Sequence, residues 1–299
     1  MKPDRRCAIS ACALALLSAC GGGGGGAPSA PPVTTTFTTW RTDLAGKTIQ
    51  VNGEGQQVSY TWNNKITSVS DVASTAASGV FVFDAGSTLT QLFLVSGATT
   101  TAFSTGQVGT LAADADFVVA ENFTGRAIVS NPKSLAWDYQ SFGVWETGLD
   151  TDQGQYGAVS LGAPTAGSAI PGSGSATFTG KLVGSYVNAD GFGHSVLADL
   201  GVGVDWTNRS LSLTTSNTRS STDGTNFSLD PNLDMSSQTL TYSAGSNSFS
   251  GTLTTTSGLS GNSSGKFYGP GAEELGGTFF LRGSGVETYS GAYGAKITP

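Results

Sequence analysis

From Ala176 to Val187 the chain alternates: Ala176, Phe178, Gly180, Leu182, Gly184 and Tyr186 share one face, and Thr177, Thr179, Lys181, Val183, Ser185 and Val187 share the other. A period of two belongs to a strand, whose successive side chains point to opposite sides of a sheet. The pattern returns at Val196–Trp206, Ser210–Ser216, Gln238–Ser243, Ser248–Thr255, Gly265–Gly269, Gly276–Arg282 and Glu287–Ile297, with Gly, Asn, Asp and Ser between the runs. About eight strands close into a small barrel whose interior side chains can fill. Helix signals are nearly absent, and 43 glycines with only 12% charged residues fit short strands and many turns. The expected fold is all-β: a C-terminal eight-stranded antiparallel β-barrel, residues 172–299, preceded by a flattened β handle domain.

The handle is placed at residues 37–165, with its boundary in the Gly/Ala/Pro/Ser stretch 162–174. Its pattern is less regular. Expected strands are Lys47–Val51, Val58–Trp62, Lys65–Val69, Val80–Phe83, Leu89–Val95, Phe117–Ala120, Arg126–Val129 and Tyr139–Trp145, with a short helix over Asp71–Ala77. Trp137, Trp145 and Trp206 lie in strand patterns and are expected in the core, while Trp40 and Trp62 are less constrained.

The N-terminus reads as a targeting segment. Lys2, Arg5 and Arg6 precede an apolar run of eleven residues, Cys7–Leu17. A membrane-spanning helix needs about twenty, so residues 1–19 are expected to be a signal peptide. The run closes on Leu17-Ser18-Ala19-Cys20, which resembles the bacterial lipobox and implies lipid attachment at Cys20. Cys7 and Cys12 would leave with the signal, so the mature chain would hold no disulfide and no cysteine metal site. Residues 20–36, lipidated Cys20 followed by Gly/Pro/Thr-rich chain, are expected to be a tether holding the fold on the order of 20–25 Å from the bilayer. Without residues 1–19 the chain has 11 basic and 20 acidic residues. That balance does not suit nucleic acid or adhesion to anionic lipid, and leaves the anchoring to the lipid on Cys20.

One segment of the barrel is specific. Gly265-Lys-Phe-Tyr-Gly-Pro-Gly-Ala-Glu-Glu-Leu-Gly-Gly-Thr-Phe279 resembles the signature near the end of the β-barrel domain of transferrin-binding protein B and related surface lipoproteins. Ala176–Gly180, Val204–Leu211 and Gly291–Lys296 agree in order, and Tyr139-Gln-Ser-Phe-Gly-Val-Trp145 is similar to the strand ending the handle of such lobes. The resemblance implies a non-enzymatic capture module anchored in the outer membrane and facing the cell surface, with an unknown protein or haem- or iron-carrier ligand. Full transferrin-binding proteins have two such lobes and are about twice this size, so transferrin binding is not carried over. The alternative, an integral outer-membrane eight-stranded barrel, would need an outward apolar band, whereas these faces carry Ser, Thr, Asp and Gly.

Within the signature, Pro270 suits a first helical position, Glu273 and Glu274 a first turn, and Gly276 a stop. A single helical turn capping the barrel is therefore expected there. Adjacent glutamates on a helix point about 100° apart, which does not suit paired acid–base chemistry. The single histidine, His194, is the one conceivable haem ligand, since relatives of this architecture include haem carriers; a lone turn histidine more commonly decorates a surface. A Ser-His-Asp triad would need His194 too, and no Gly-x-Ser-x-Gly elbow accompanies it. Asp150-Thr-Asp152-Gln-Gly154 resembles the start of a calcium loop, but Leu161 stands where the bidentate Glu is required. No catalytic residue, metal or cofactor is expected, and the ligand-binding residues are left open.

Overall fold

The computed structural model describes residues 34–237 and 239–298. Cys20, the signal peptide and the tether as far as residue 33 lie outside them. The first eleven strands are β1 (Thr34–Thr36), β2 (Thr48–Trp62), β3 (Ile66–Val69), β4 (Ala73–Phe83), β5 (Leu89–Ser96), β6 (Thr99–Phe103), β7 (Val108–Thr110), β8 (Phe117–Glu121), β9 (Gly125–Ser130), β10 (Gln140–Thr147) and β11 (Gln153–Gly162). They form one sheet in the order β6-β5-β4-β2-β11-β10-β9-β8-β7, with β1 and β3 on β2. This sheet curls nearly to closure around Trp40, Phe81, Leu92, Phe103 and Trp145. Thr34–Thr36, read from sequence as the end of the tether, pair parallel with Thr48–Gln50.

The second sheet comprises β12 (Ser175–Val187), β13 (Gly193–Asp205), β14 (Ser210–Ser221), β15 (Ser228–Leu229), β16 (Met235–Ser237), β17 (Leu240–Tyr242), β18 (Ser248–Thr255), β19 (Ser260–Tyr268), β20 (Glu274–Arg282) and β21 (Thr288–Ile297). β16 and β17 both bridge β14 to β18 and share one place in the ring, β15 hangs on the end of β14, and β13–β14 pairing closes the circuit. The result is the expected closed eight-stranded antiparallel barrel. Phe178, Leu182, Trp206, Phe267, Phe279 and Tyr293 fill its interior. Ser212, Thr214, Ser250, Asn262 and Ser264 face outward, the reverse of the pattern a membrane-spanning barrel requires.

Two local expectations are corrected. Asp71–Ala77 is no helix: Ala73 begins β4, whose residues Ala73–Val82 pair with β2 over their whole length. Residues 269–273 form a turn in which Ala272 takes φ 64°, a left-handed conformation that cannot continue a helix, and Glu274 is the first residue of β20.

The segments Lys47–Val51 and Val58–Trp62 are one continuous strand, β2, and β11 was not expected at all. The cause is shared. Gly53 lies so close to β11 that a Cβ there would stand 2.0 Å from the carbonyl oxygen of Ser160. The glycine that reads as a turn is thus required by backbone crowding within a sheet. Gly53→Ala is expected to cost at least about 2 kcal/mol by overpacking, while Gly109→Ala, which meets open space, leaves the denaturation midpoint unchanged; equal midpoints for both variants would refute the crowding argument.

Handle and barrel meet through apolar and polar contacts together. Phe142, Val144 and Ala158 of the handle pack on Val183, Leu197 and Ala292 of the barrel. The buried side chain of Gln140 donates from Nε2 to the carbonyls of Leu275 (2.7 Å) and Ala295 (3.1 Å). Tyr156 shares a hydrogen bond with Thr288 at 2.7 Å, and Lys181 of the barrel reaches Asp114 (3.5 Å) and Asp116 (3.7 Å) of the handle. Buried groups satisfied across a junction fix its register, because parting them would strand each partner.

Candidate functional site

Large apolar side chains in water are informative when they gather. In β8–β9 the turn is built by Asn122, whose Oδ1 accepts the N–H groups of Thr124 and Gly125, both at 3.0 Å. This Asx-type turn presents Phe123, 72% exposed, at its tip. The carbonyl of Thr124 accepts the N–H groups of Gly148 (2.9 Å) and Leu149 (3.3 Å), which seats the β10–β11 loop, with Leu149 exposed, beside that turn.

The lacing continues into the barrel. Asp152, in the same β10–β11 loop, accepts the N–H of Trp62 at 2.7 Å, placing that half-exposed indole at the start of the β2–β3 turn. Ile66 at the far side of this turn donates to Gly191 O at 2.9 Å, in the β12–β13 turn of the barrel. Gly191 has φ 90°, and a Cβ there would stand 2.3 Å from Ile66 O, so both conformation and contact demand glycine. Asn188 closes this turn with its Oδ1 on the N–H of Phe192 (2.9 Å), whose ring is 49% exposed.

Four loops, three from the handle and one from the barrel, therefore form a rim whose tips are Phe123, Leu149, Trp62 and Phe192. Arg126 braces it from behind, with Nη1 on Ser195 Oγ (3.5 Å), Nη2 on Gly224 O (3.4 Å) and Nε 3.6 Å from Glu121. Glu121, Asp150, Asp152 and Asp190 are exposed on the same loops, against Lys65. The rim offers rigidly held apolar contact area inside acidic surroundings, the composition of a protein-binding surface.

His194 lies two residues beyond Phe192, on β13. Its ring stands 5.6 Å from that of Tyr186, and Nε2 is enclosed without a hydrogen-bond partner. Burial lowers its pKa, with Asp230 opposing, which favours the neutral imidazole. A haem iron could not reach Nε2 from solvent without displacing what encloses it. Trp137, Trp145 and Trp206 are buried, as their strand patterns require, and Trp40 joins them. Asp150 and Asp152 sit in an exposed loop. Among the described residues no cluster of His, Cys, Asp and Glu has the spacing to hold a metal ion. Phe123, Leu149 and Phe192 fall outside the expected strands, and sequence alone does not show that their loops meet. Their signal was phase: each stands within turn chemistry, Asn-Phe-Thr-Gly, Gly-Leu-Asp or Gly-Phe-Gly, outside the alternation.

A buried carboxylate marks the junction beneath. Glu274 is fully buried and accepts the N–H groups of Asp138 (2.6 Å) and Tyr139 (3.1 Å). Burial raises its pKa to about 7 against those hydrogen bonds and the charge of Lys296, with Asp138 adding to the rise. Asp138 itself is pushed up by burial, but hydrogen bonds from Arg41 and Lys296 overcome this and hold it below its ordinary value.

Residues 170–297 match the family model for the C-lobe and N-lobe β barrels of Tf-binding protein B. No curated protein matches the chain. Similar solved structures include a tryptophan-to-alanine variant of the vaccine antigen transferrin binding protein B from Haemophilus parasuis Hp5, 13% identical over 86% of this chain and 77% of that one, TM-score 0.44. A phenylalanine-to-alanine variant of the same antigen from Actinobacillus pleuropneumoniae H49 is 14% identical over 82% and 99%, TM-score 0.47. The isotype 1 protein from serogroup B Neisseria meningitidis is 18% identical over 76% of this chain and 53% of that one, TM-score 0.43, so this chain spans about half of it. The match covers the barrel, residues 170–297, which is of the Tf-binding protein B β-barrel type, and the curled handle packs against it.

Proposed function

We propose that this protein is a non-enzymatic capture lipoprotein, held to the outer membrane by lipid on Cys20 and taking a folded protein ligand on the rim of Phe123, Leu149, Trp62 and Phe192. The observation that carries the reading is the lacing of the four loops by backbone hydrogen bonds. Exposed aromatic tips on loose loops would lose much of their contact energy to ordering; here the ordering is already met by the fold. The similar solved proteins carry the name transferrin binding protein B, which makes an iron-carrier protein the first ligand class to test.

Two measurements test it. Protease shaving of intact cells is expected to remove the lobe, and to spare it when Cys20→Ala releases the protein from the membrane. Binding of transferrins and haem-carrier proteins to the purified lobe is expected to weaken at least about tenfold on Phe123→Ser with Leu149→Ser, since apolar anchors that contribute about 1 kcal/mol each already give that factor together. Unaltered affinity of the doubly substituted protein for its ligand would remove the rim from the account.

A further inference from the structure

The handle sheet does not close, and the gap lies over its core. β6 and β7 are the two ends of the strand path. In the β7–β8 ladder, Leu111 N–H donates to Phe117 O and Glu121 N–H to Gln107 O. Hydrogen-bonded pairs in an antiparallel ladder alternate, so Val108 and Thr110 turn their backbone N–H and C=O groups away from β8, toward the gap. Beneath it a cavity of about 350 Å³ enters the handle, walled by Phe81, Phe83, Leu89, Val108, Val118 and Pro132.

Lys133 stands at the mouth. Its Nζ donates to Ser87 O at 3.1 Å and forms no ion pair among the described residues. Asp84, the acid beside that turn, keeps its charge but is turned into its own loop, its Oδ1 accepting the N–H groups of Gly86 (2.8 Å) and Thr88 (2.9 Å), and it forms no ion pair with Lys133. The cavity thus has an apolar floor and a polar mouth, where Lys133 is the one charged residue of the lining and backbone donors run along one lip. This is the arrangement of a small-molecule site, apolar walls with a few convergent polar groups.

We propose that the handle cavity binds a medium-chain carboxylate, its acyl tail among Phe81, Phe83 and Val118 and its carboxylate on Lys133 and the free N–H groups of β7. An alkane would leave the cation unused, and a small anion would leave the walls unused. A volume of 350 Å³ equals about twelve waters at ~30 Å³ each, which a tail of about ten carbons fills. The site is separate from the rim and does not depend on it.

Calorimetric titration of the full chain carrying Cys20→Ala with hexanoate, octanoate, decanoate, dodecanoate, tetradecanoate and decanol tests the proposal. Affinity is expected to rise about fourfold per methylene and to level off near the length that fills the cavity. Lys133→Met is expected to weaken decanoate about fivefold, the range of an exposed ion pair, and to leave decanol unchanged. Thr110→Trp, at an exposed position on the lip, is expected to abolish binding of both. Both substituted positions are exposed, and unchanged melting midpoints confirm that the variants fold. Absence of binding at millimolar concentration, affinity that keeps rising through tetradecanoate, or wild-type affinities in both variants would each overturn the proposal.

Discussion

Between pH 4.5 and 8 the stability of this fold is expected to fall by about 3 kcal/mol through Glu274 alone. Its carboxyl moves from an ordinary 4.5 in the unfolded chain to about 7 in the folded one, and each unit corresponds to about 1.4 kcal/mol. The sign follows from proton binding. Above the unfolded pKa the unfolded chain releases this proton while the folded chain still holds it, so rising pH favours unfolding until the folded group titrates as well. The contribution is fully present below 4.5 and lost as pH rises through 7. Glu146, raised in pKa by burial, adds a slope of the same sign. Asp138 works in the opposite direction and lower down: its depressed pKa contributes stability that is lost as pH falls below the ordinary carboxylate range.

Glu274→Gln separates these effects. The amide oxygen can accept one of the two N–H groups of Asp138 and Tyr139, and its NH2 then opposes the other, at a cost of about 1–3 kcal/mol that does not vary with pH. The denaturant midpoint of the variant is therefore expected below wild type at pH 5 and close to it at pH 8, with the Glu146 slope and the opposing slope of His194, whose pKa burial lowers, remaining in both proteins. Parallel curves for the two proteins across that range would show that Glu274 is not the titrating group.

Trp145→Ala is expected to remove about 3–5 kcal/mol, the loss for a large aromatic side chain from a closed core. The indole is 2% exposed, and Gly157 lies against its ring so closely that a Cβ would stand 2.7 Å from it. No neighbour can collapse cheaply into the vacated space, since both strands that flank it are held in the centre of the sheet. Trp145→Phe is the informative partner. The indole Nε1 is buried without a hydrogen-bond partner, so phenylalanine deletes an unsatisfied donor along with part of the ring, and the expected loss is below about 1.5 kcal/mol. A loss for phenylalanine as large as for alanine would mean that Nε1 has a partner, such as a buried water.

The barrel was legible because most of its strands obey one rule, apolar inward, Ser or Thr outward and Gly or Asn at the turns, broken where Val183, Leu197 and Ala292 face the handle. The handle was less so because its glycines serve two purposes that look alike in sequence. Gly46 and Gly97 do mark turns, with φ of 66° and 58°. Gly53, Gly55 and Gly157 sit inside strands where neighbouring backbone or an indole leaves no room for a Cβ. Reading the second kind as the first cut β2 in two and hid β11, the strand that joins the two halves of the handle sheet.

Glu274 was misplaced for a comparable reason. Pro270 and two glutamates satisfy the local logic of a helix start, but Ala272 in a left-handed conformation ends that possibility, and the carboxylate serves backbone donors 135 residues or more away in sequence. No local pattern encodes such a partner. Nor does local pattern bring Phe123, Leu149, Trp62 and Phe192 to one edge, because their neighbourhood is created by pairing between loops.

The bond from Ile66 to Gly191 is a backbone seam in the rim where handle meets barrel, beside the side-chain contacts of Arg126. A ligand seated across it would grip both domains, so occupancy and cohesion become linked quantities: whatever binds only the closed pair must raise the free energy of parting them, by about 2.7 kcal/mol at a hundredfold excess over Kd. By the same reciprocity, any condition that loosens the domains from one another weakens the grip, and the alkaline side of Glu274's titration is such a condition.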